Sequence, residues 1–133
     1  MKAYLLDTSA LLAHHRNEPG AARVQVLFED SDAEIHIAAP SVAEMARRLL
    51  ALGADTMTAR TVALEYAGLA TSILPVDTAV SIRAFELGSI SKTRLPLVDA
   101  LIAATAALIG ATLVHRNPHF DGLPSELVPS ETL

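Results

Sequence analysis

Four acidic residues stand where a strand gives way to a helix or where a helix has just begun: Asp7, Glu44, Asp77 and Asp99. Carboxylates are hard oxygen donors. Two or three within a few ångströms raise one another's pKa, and the repulsion is relieved by sharing a proton or by a cation. Asp7 follows Tyr4-Leu5-Leu6, and Asp99 lies between Leu97-Val98 and Ala100-Leu101-Ile102, so both acids are expected in apolar surroundings. No lysine or arginine adjoins either, which points to a divalent ion held through oxygen, Mg²⁺ or Mn²⁺. In an open α/β sheet such sites assemble at the carboxyl ends of the strands, where Asp7, Glu44 and Asp99 can converge.

Each acid also has a purely structural reading. Ser41-Val42-Ala43-Glu44 has the S-x-x-E spacing of a capping box, in which Glu44 would only satisfy a backbone donor. Asp7 and Asp77 can be helix N-caps, and Asp99 can be a first-turn acid favoured by the helix dipole. For Asp77, followed by ordinary amphipathic sequence, capping is the expected role. Thr8 and Ser9 can bond near Asp7 or to a phosphate, and at least one is expected to cap the first helix.

Other chemistries find little support. His115 and His119 are four apart, but Pro118 between them argues against a helical metal pair, and no H-E-x-x-H is present. His14-His15-Arg16 reads as solvated surface. G-x-S-x-G, P-loop and dinucleotide fingerprints are all missing, and with no cysteine, thiolate sites and disulfides are excluded.

The elements that must position these residues alternate. Apolar runs predict strands over Ala3 to Leu6, Glu34 to Ala38, Ile73 to Val76 and Ala111 to His115. Helices are predicted from Thr8 through Leu12, over Ala21 to Glu29, from Pro40 until Gly53, from Asp55 to Ala70 with Val62, Leu64 and Leu69 among its apolar residues, from Asp77 to Gly88, and over Leu97 to Ile109. On the third of these, Val42, Met45, Leu49 and Leu50 form the apolar face, with Arg47 and Arg48 turned away. Ser89 to Arg94 and Arg116 to Pro124 read as loops, and Leu127-Val128 as a last apolar piece. This alternation predicts a three-layer α/β/α sandwich around a central parallel sheet.

The 133 residues fit one domain over 1–133, and a 51% apolar fraction excludes disorder as the main theme. Asp7, inside what would be the apolar region of a signal peptide, argues for a cytoplasmic protein, and the stretch Ala100 to Val114 is too short and too interrupted for a membrane span. Ten Lys and Arg against 15 Asp and Glu give a net charge of −5, a field that repels nucleic acid unless cations offset it. Arg16, Lys92, Arg94 and Arg116 fall in segments expected near the same end of the sheet as Asp7 and Asp99, and can form a basic rim. Phe120 can stack on a base or belong to the core.

Leu5-Leu6-Asp7-Thr8-Ser9-Ala10-Leu11-Leu12, the helical Glu44, Leu97-Val98-Asp99-Ala100-Leu101-Ile102-Ala103-Ala104-Thr105-Ala106 and Thr112-Leu113-Val114-His115-Arg116-Asn117-Pro118-His119-Phe120 together resemble the ordered motifs of PIN-domain ribonucleases, above all the VapC toxins of bacterial toxin–antitoxin pairs. The resemblance spans essentially the whole chain. It implies that Asp7, Glu44 and Asp99 hold Mg²⁺ or Mn²⁺ for cleaving RNA, with Asn117 at the fourth catalytic position, and it implies a cognate antitoxin and a homodimer. Many relatives carry an acid at that fourth position. Asn117 adds no negative charge, which puts a second tightly held metal in doubt, and Asp121 is the nearby alternative. Two further readings stay open: a haloacid-dehalogenase-like phosphohydrolase with Asp7 as nucleophile, though its second acid is missing, and a catalytically degenerate PIN fold used for binding or dimerisation.

Overall fold

The computed structural model describes residues 1–133 throughout. Strand β1 (Lys2–Leu6) leads into α1 (Thr8–His15) and α2 (Ala21–Glu29); β2 (Ala33–Ala38) is followed by α3 (Ala39–Ala51) and α4 (Thr56–Leu69). Next come β3 (Ser72–Leu74), α5 (Thr78–Ile90), α6 (Leu97–Ile109), β4 (Thr112–His115), a short 3₁₀ turn (Pro118–Gly122) and β5 (Ser130–Thr132). All strand pairs are parallel, in the order β3-β2-β1-β4-β5. The chain moves outward from β1 through β2 to β3, then starts again on the other side with β4. The crevice beyond the carboxyl ends of β1 and β4 is therefore the switch point at which open parallel sheets bind ligands.

Period-two alternation divides the core. Tyr4 and Leu6, with Ile35, Ile37 and Val114, face the side covered by the first four helices, where Leu11, Leu27, Met45 and Tyr66 meet them. Leu5 and Leu113 face the other side, against Val80, Ala84, Leu87 and the alanines of α6. This is the expected three-layer arrangement. Between Asp99 and Ala107 no residue of α6 is exposed, and Ala100, Ala103, Ala104 and Ala106 are small enough to let the helix lie between α5 and the sheet. No helix is long and apolar enough to cross a membrane.

The structure corrects several local expectations. α1 continues to His15, and α5 runs past Gly88 to Ile90. On α4 the buried stripe is Ala59, Ala63 and Tyr66, whereas Leu64 and Leu69 are exposed, because the 59/63/66 spacing aims one helix face inward. His14 is no solvated surface residue: its ring lies between the Tyr66 hydroxyl at 2.5 Å and Gln25 Oε1 at 2.6 Å, edge-on to Phe28. β5 has no counterpart among the predicted strands. Its Ser130-Glu131-Thr132 sequence is polar, and what holds this edge strand is pairing with β4 together with the Arg23–Glu131 ion pair at 2.7 Å. That bond also keeps the Glu131 carboxyl below its ordinary range.

Ser41 is fully buried inside the first turn of α3, and its hydroxyl has no hydrogen-bond partner. An orphaned buried donor costs free energy that alanine does not. Ser41→Ala is therefore expected to raise stability by about 1 kcal/mol. In urea unfolding this reads as a higher midpoint at unchanged slope, and a fall of similar size would contradict it.

Candidate active site

Asp7 directly follows the central strand and caps α1. Its Oδ1 accepts the Ala10 N–H at 2.9 Å and the Ser9 hydroxyl at 2.7 Å. Ser9 in turn accepts the Arg116 N–H at 2.8 Å, which ties the segment leaving β4 to the start of α1. Neither Thr8 nor Ser9 is the cap, contrary to expectation; each hydroxyl donates to a carboxylate instead.

The partner of Thr8 is Glu44, whose Oε1 accepts the threonine hydroxyl. This removes the capping-box reading. α3 begins at Ala39, two residues before Ser41, so Ser41 already has helical backbone and its hydroxyl caps nothing. Glu44 is free to reach across to α1.

Asp99, in the first turn of α6, is 8% exposed. Its Oδ2 accepts the Asn117 side-chain N–H at 3.2 Å and bonds His119 Nδ1 at 2.9 Å. A pattern follows. Each of the three acids has one oxygen bonded by the protein, while Asp7 Oδ2, Glu44 Oε2 and Asp99 Oδ1 have no protein donor.

All three face a single cleft of about 610 Å³, together with Asn117, His119, Arg48 and Arg116. Asp7 is only 2% exposed, and burial, reinforced by the nearby charges of Asp99 and Glu44, pushes its carboxyl up to about 7 against the opposing bonds from Ser9 and Ala10. No three acidic or histidine side chains converge closely enough, as they stand, to hold one ion. The donor chemistry nevertheless suits a hard divalent cation: three carboxylates with a free oxygen each, one of them destabilised by its own charge.

Asp77 caps α5 through the Val80 N–H at 2.9 Å and lies outside the cleft, as expected. Asp121 is exposed and does not line the cleft either; Asn117 does. Phe120, 2% exposed, belongs to the core, where His115 packs edge-on at 4.9 Å. Burial lowers the His115 pKa, and its Nδ1 accepts the Asn117 N–H at 3.0 Å, so this ring is neutral and protonated on Nε2. Of the four expected basic residues, only Arg116 lines the cleft, bonded to Glu18 at 3.4 Å.

Two cleft residues do not emerge from the sequence patterns. Arg48, expected to turn away, lies one helical turn after Glu44, and that i, i+4 spacing is the signal that places both on one face. His119 is spaced as a partner for His115, whereas the 3₁₀ turn points its ring at Asp99.

Residues 4–125 match the family model for the PIN domain. Among solved structures, the chain is similar to VapBC2 from Rickettsia felis bound to a promoter DNA fragment, with 18% identity over 98% of each chain and a TM-score of 0.77. It is also similar to a toxin–antitoxin complex from Klebsiella pneumoniae, with 24% identity over 91% of this chain and 92% of that one and a TM-score of 0.69. A third is the Sarcin-Ricin loop cleaving toxin VapC20 from Mycobacterium tuberculosis, with 16% identity over 91% and 96% and a TM-score of 0.70. At these identities the likeness is one of fold. No curated protein matches the chain.

Proposed function

The chain belongs to the PIN domain family, and from that premise we propose that it is the toxin of a toxin–antitoxin pair, an endoribonuclease that hydrolyses RNA phosphodiester bonds with Mg²⁺ or Mn²⁺ held by Asp7, Glu44 and Asp99. The observation that carries the proposal is the set of three carboxylates on one cleft, each with an oxygen free of protein donors. The proposed partners are drawn from the relatives: one is a toxin–antitoxin complex, and another is a toxin that cleaves the Sarcin-Ricin loop. Ile82 and Phe85, one turn apart on α5 and both exposed, support protein contacts of this kind, including a homodimer.

When bound, the cation would acidify water and offset charge on the scissile phosphate. The protein's own residues supply orientation. Ser9 and the α1 N-terminus fix Asp7, Thr8 fixes Glu44, and Asn117 adds a neutral donor to Asp99. A phosphohydrolase with Asp7 as nucleophile would want a carboxyl two residues on; that place holds Ser9, whose hydroxyl is already bonded to Asp7.

Arg48 has no carboxylate partner and stands at the rim, where it can hold a phosphate beside the scissile bond. Arg48→Ala is expected to raise KM for RNA with little change in kcat. It should also make binding less salt-sensitive, by roughly 0.7 in the slope of log K against log salt for one lost phosphate contact on a single strand. An unchanged slope would remove Arg48 from the RNA path.

The function itself is tested by inducing the chain without a partner and mapping new RNA 5′ ends across the transcriptome. The expected result is new ends and halted growth, both abolished by Asp7→Asn and by Asp99→Asn. Unchanged RNA and growth would favour a degenerate binding module, and cleavage that survives both substitutions would place the chemistry elsewhere.

A further inference from the structure

We infer that His119 is a positioning residue for Asp99: its ring, through Nδ1, fixes which carboxylate oxygen of Asp99 is open to the cleft. The inference rests on the metal-site reading above. Asp99 can turn about two side-chain bonds, so a free oxygen helps bind a cation only if something holds the carboxyl plane. Two groups meet on Oδ2: His119 Nδ1 at 2.9 Å and the Asn117 side-chain N–H at 3.2 Å. No donor meets Oδ1. A carboxylate oxygen accepts, so this contact is made by the His119 tautomer that carries a proton on Nδ1. The shorter of the two bonds belongs to the histidine.

The turn behind the ring has little room to move. The His119 N–H donates to Asn117 Oδ1 at 3.0 Å, and its carbonyl accepts the Thr93 hydroxyl at 3.0 Å. At the end of the turn the Gly122 carbonyl accepts the Lys92 N–H at 3.1 Å, and a Cβ added to Gly122 would lie 2.4 Å from the Thr93 nitrogen. The loop between α5 and α6 and the turn after β4 are thus stitched together at His119 and again at Gly122. His119 Nε2 has no protein partner, so the bond to Asp99 is the ring's one polar engagement. Donors that orient a metal ligand in this way typically change metal affinity 10–100-fold when removed.

The test measures Mn²⁺ binding by the full chain directly, from the loss of the free-ion electron paramagnetic resonance signal, beside RNA cleavage at limiting and saturating Mn²⁺. His119→Ala is expected to weaken Mn²⁺ binding about 10–100-fold. Its cleavage should fall at limiting Mn²⁺ and recover at saturation. His119→Asn should restore affinity to within a few-fold, because the asparagine Nδ2 is as many bonds from Cα as Nδ1; His119→Gln, one bond longer, should not. Should His119→Ala fail to fold, the contrast between Asn and Gln carries the test. Parental affinity in His119→Ala, or an asparagine variant as weak as the alanine one, would overturn the inference. Asp99→Asn serves as the control, and parental affinity there would overturn the metal-site reading itself.

Discussion

Asp7→Asn is expected to give a protein more stable than the parent and unable to cut RNA. An aspartate in the unfolded chain ionises near 3.8, whereas burial holds the folded Asp7 carboxyl up to about 7. Between those values the folded protein keeps a proton that the unfolded chain releases. The parent therefore loses stability as pH rises through this window, and the loss is complete above about 7. Near neutral pH the deficit is about 2–4 kcal/mol. Asparagine keeps an Oδ1 acceptor for Ser9 and Ala10 and removes the charge, so the variant's stability should be flat across the window and meet the parent's near pH 4. Cleavage should fall on the order of 10³-fold, as loss of several kcal/mol of metal-supplied stabilisation implies. Chemical unfolding from pH 4 to 8 checks the first part. A variant less stable than the parent at pH 8 would mean that the fold favours the ionised acid.

Chelation is the second large effect. In EDTA cleavage should fall to background, and added Mn²⁺ should restore it. The same ion should stabilise the metal-free parent, by about 2.7 kcal/mol at a hundredfold excess over its Kd. The gain should be greater at pH 8 than at pH 5, where the Asp7 proton competes with the metal. Asp7→Asn should show little of it. A thermal shift of equal size in parent and variant would place the ion at another site.

Both effects lean on residues whose chemistry is legible in the amino-acid order alone. Asp7 stands out because three apolar residues precede it, and Asp99 because its neighbours on both sides are apolar; a charged group at such a position asks for a partner. Strand and helix alternation is equally readable, since burying a parallel sheet on both faces leaves near-continuous apolar runs. Legibility ends where local spacing fits two outcomes. Ser41 and Glu44 have the spacing of a capping box, and only the helix start at Ala39 decides against it. Thr8 meets Glu44 across 36 positions, and His119 meets Asp99 across 20; no pattern within one element encodes either meeting. β5 is hidden for a different reason, because a three-residue edge strand needs no apolar alternation.

The net charge of −5 also reads differently once the site is assembled. Three of the negative charges face one cleft, so the field that opposes RNA is concentrated where a cation is proposed to sit.

The most direct test of the central claim is cleavage of a synthetic RNA by the purified chain, with product ends read by mass spectrometry in EDTA and in Mn²⁺. Attack by water leaves linear phosphate ends, whereas attack by the RNA's own 2′-hydroxyl leaves a 2′,3′-cyclic phosphate. Linear ends are expected exclusively, in Mn²⁺ only, with none from Asp99→Asn. Cleavage that persists in EDTA, or cyclic ends made equally by parent and Asp99→Asn, would contradict the claim.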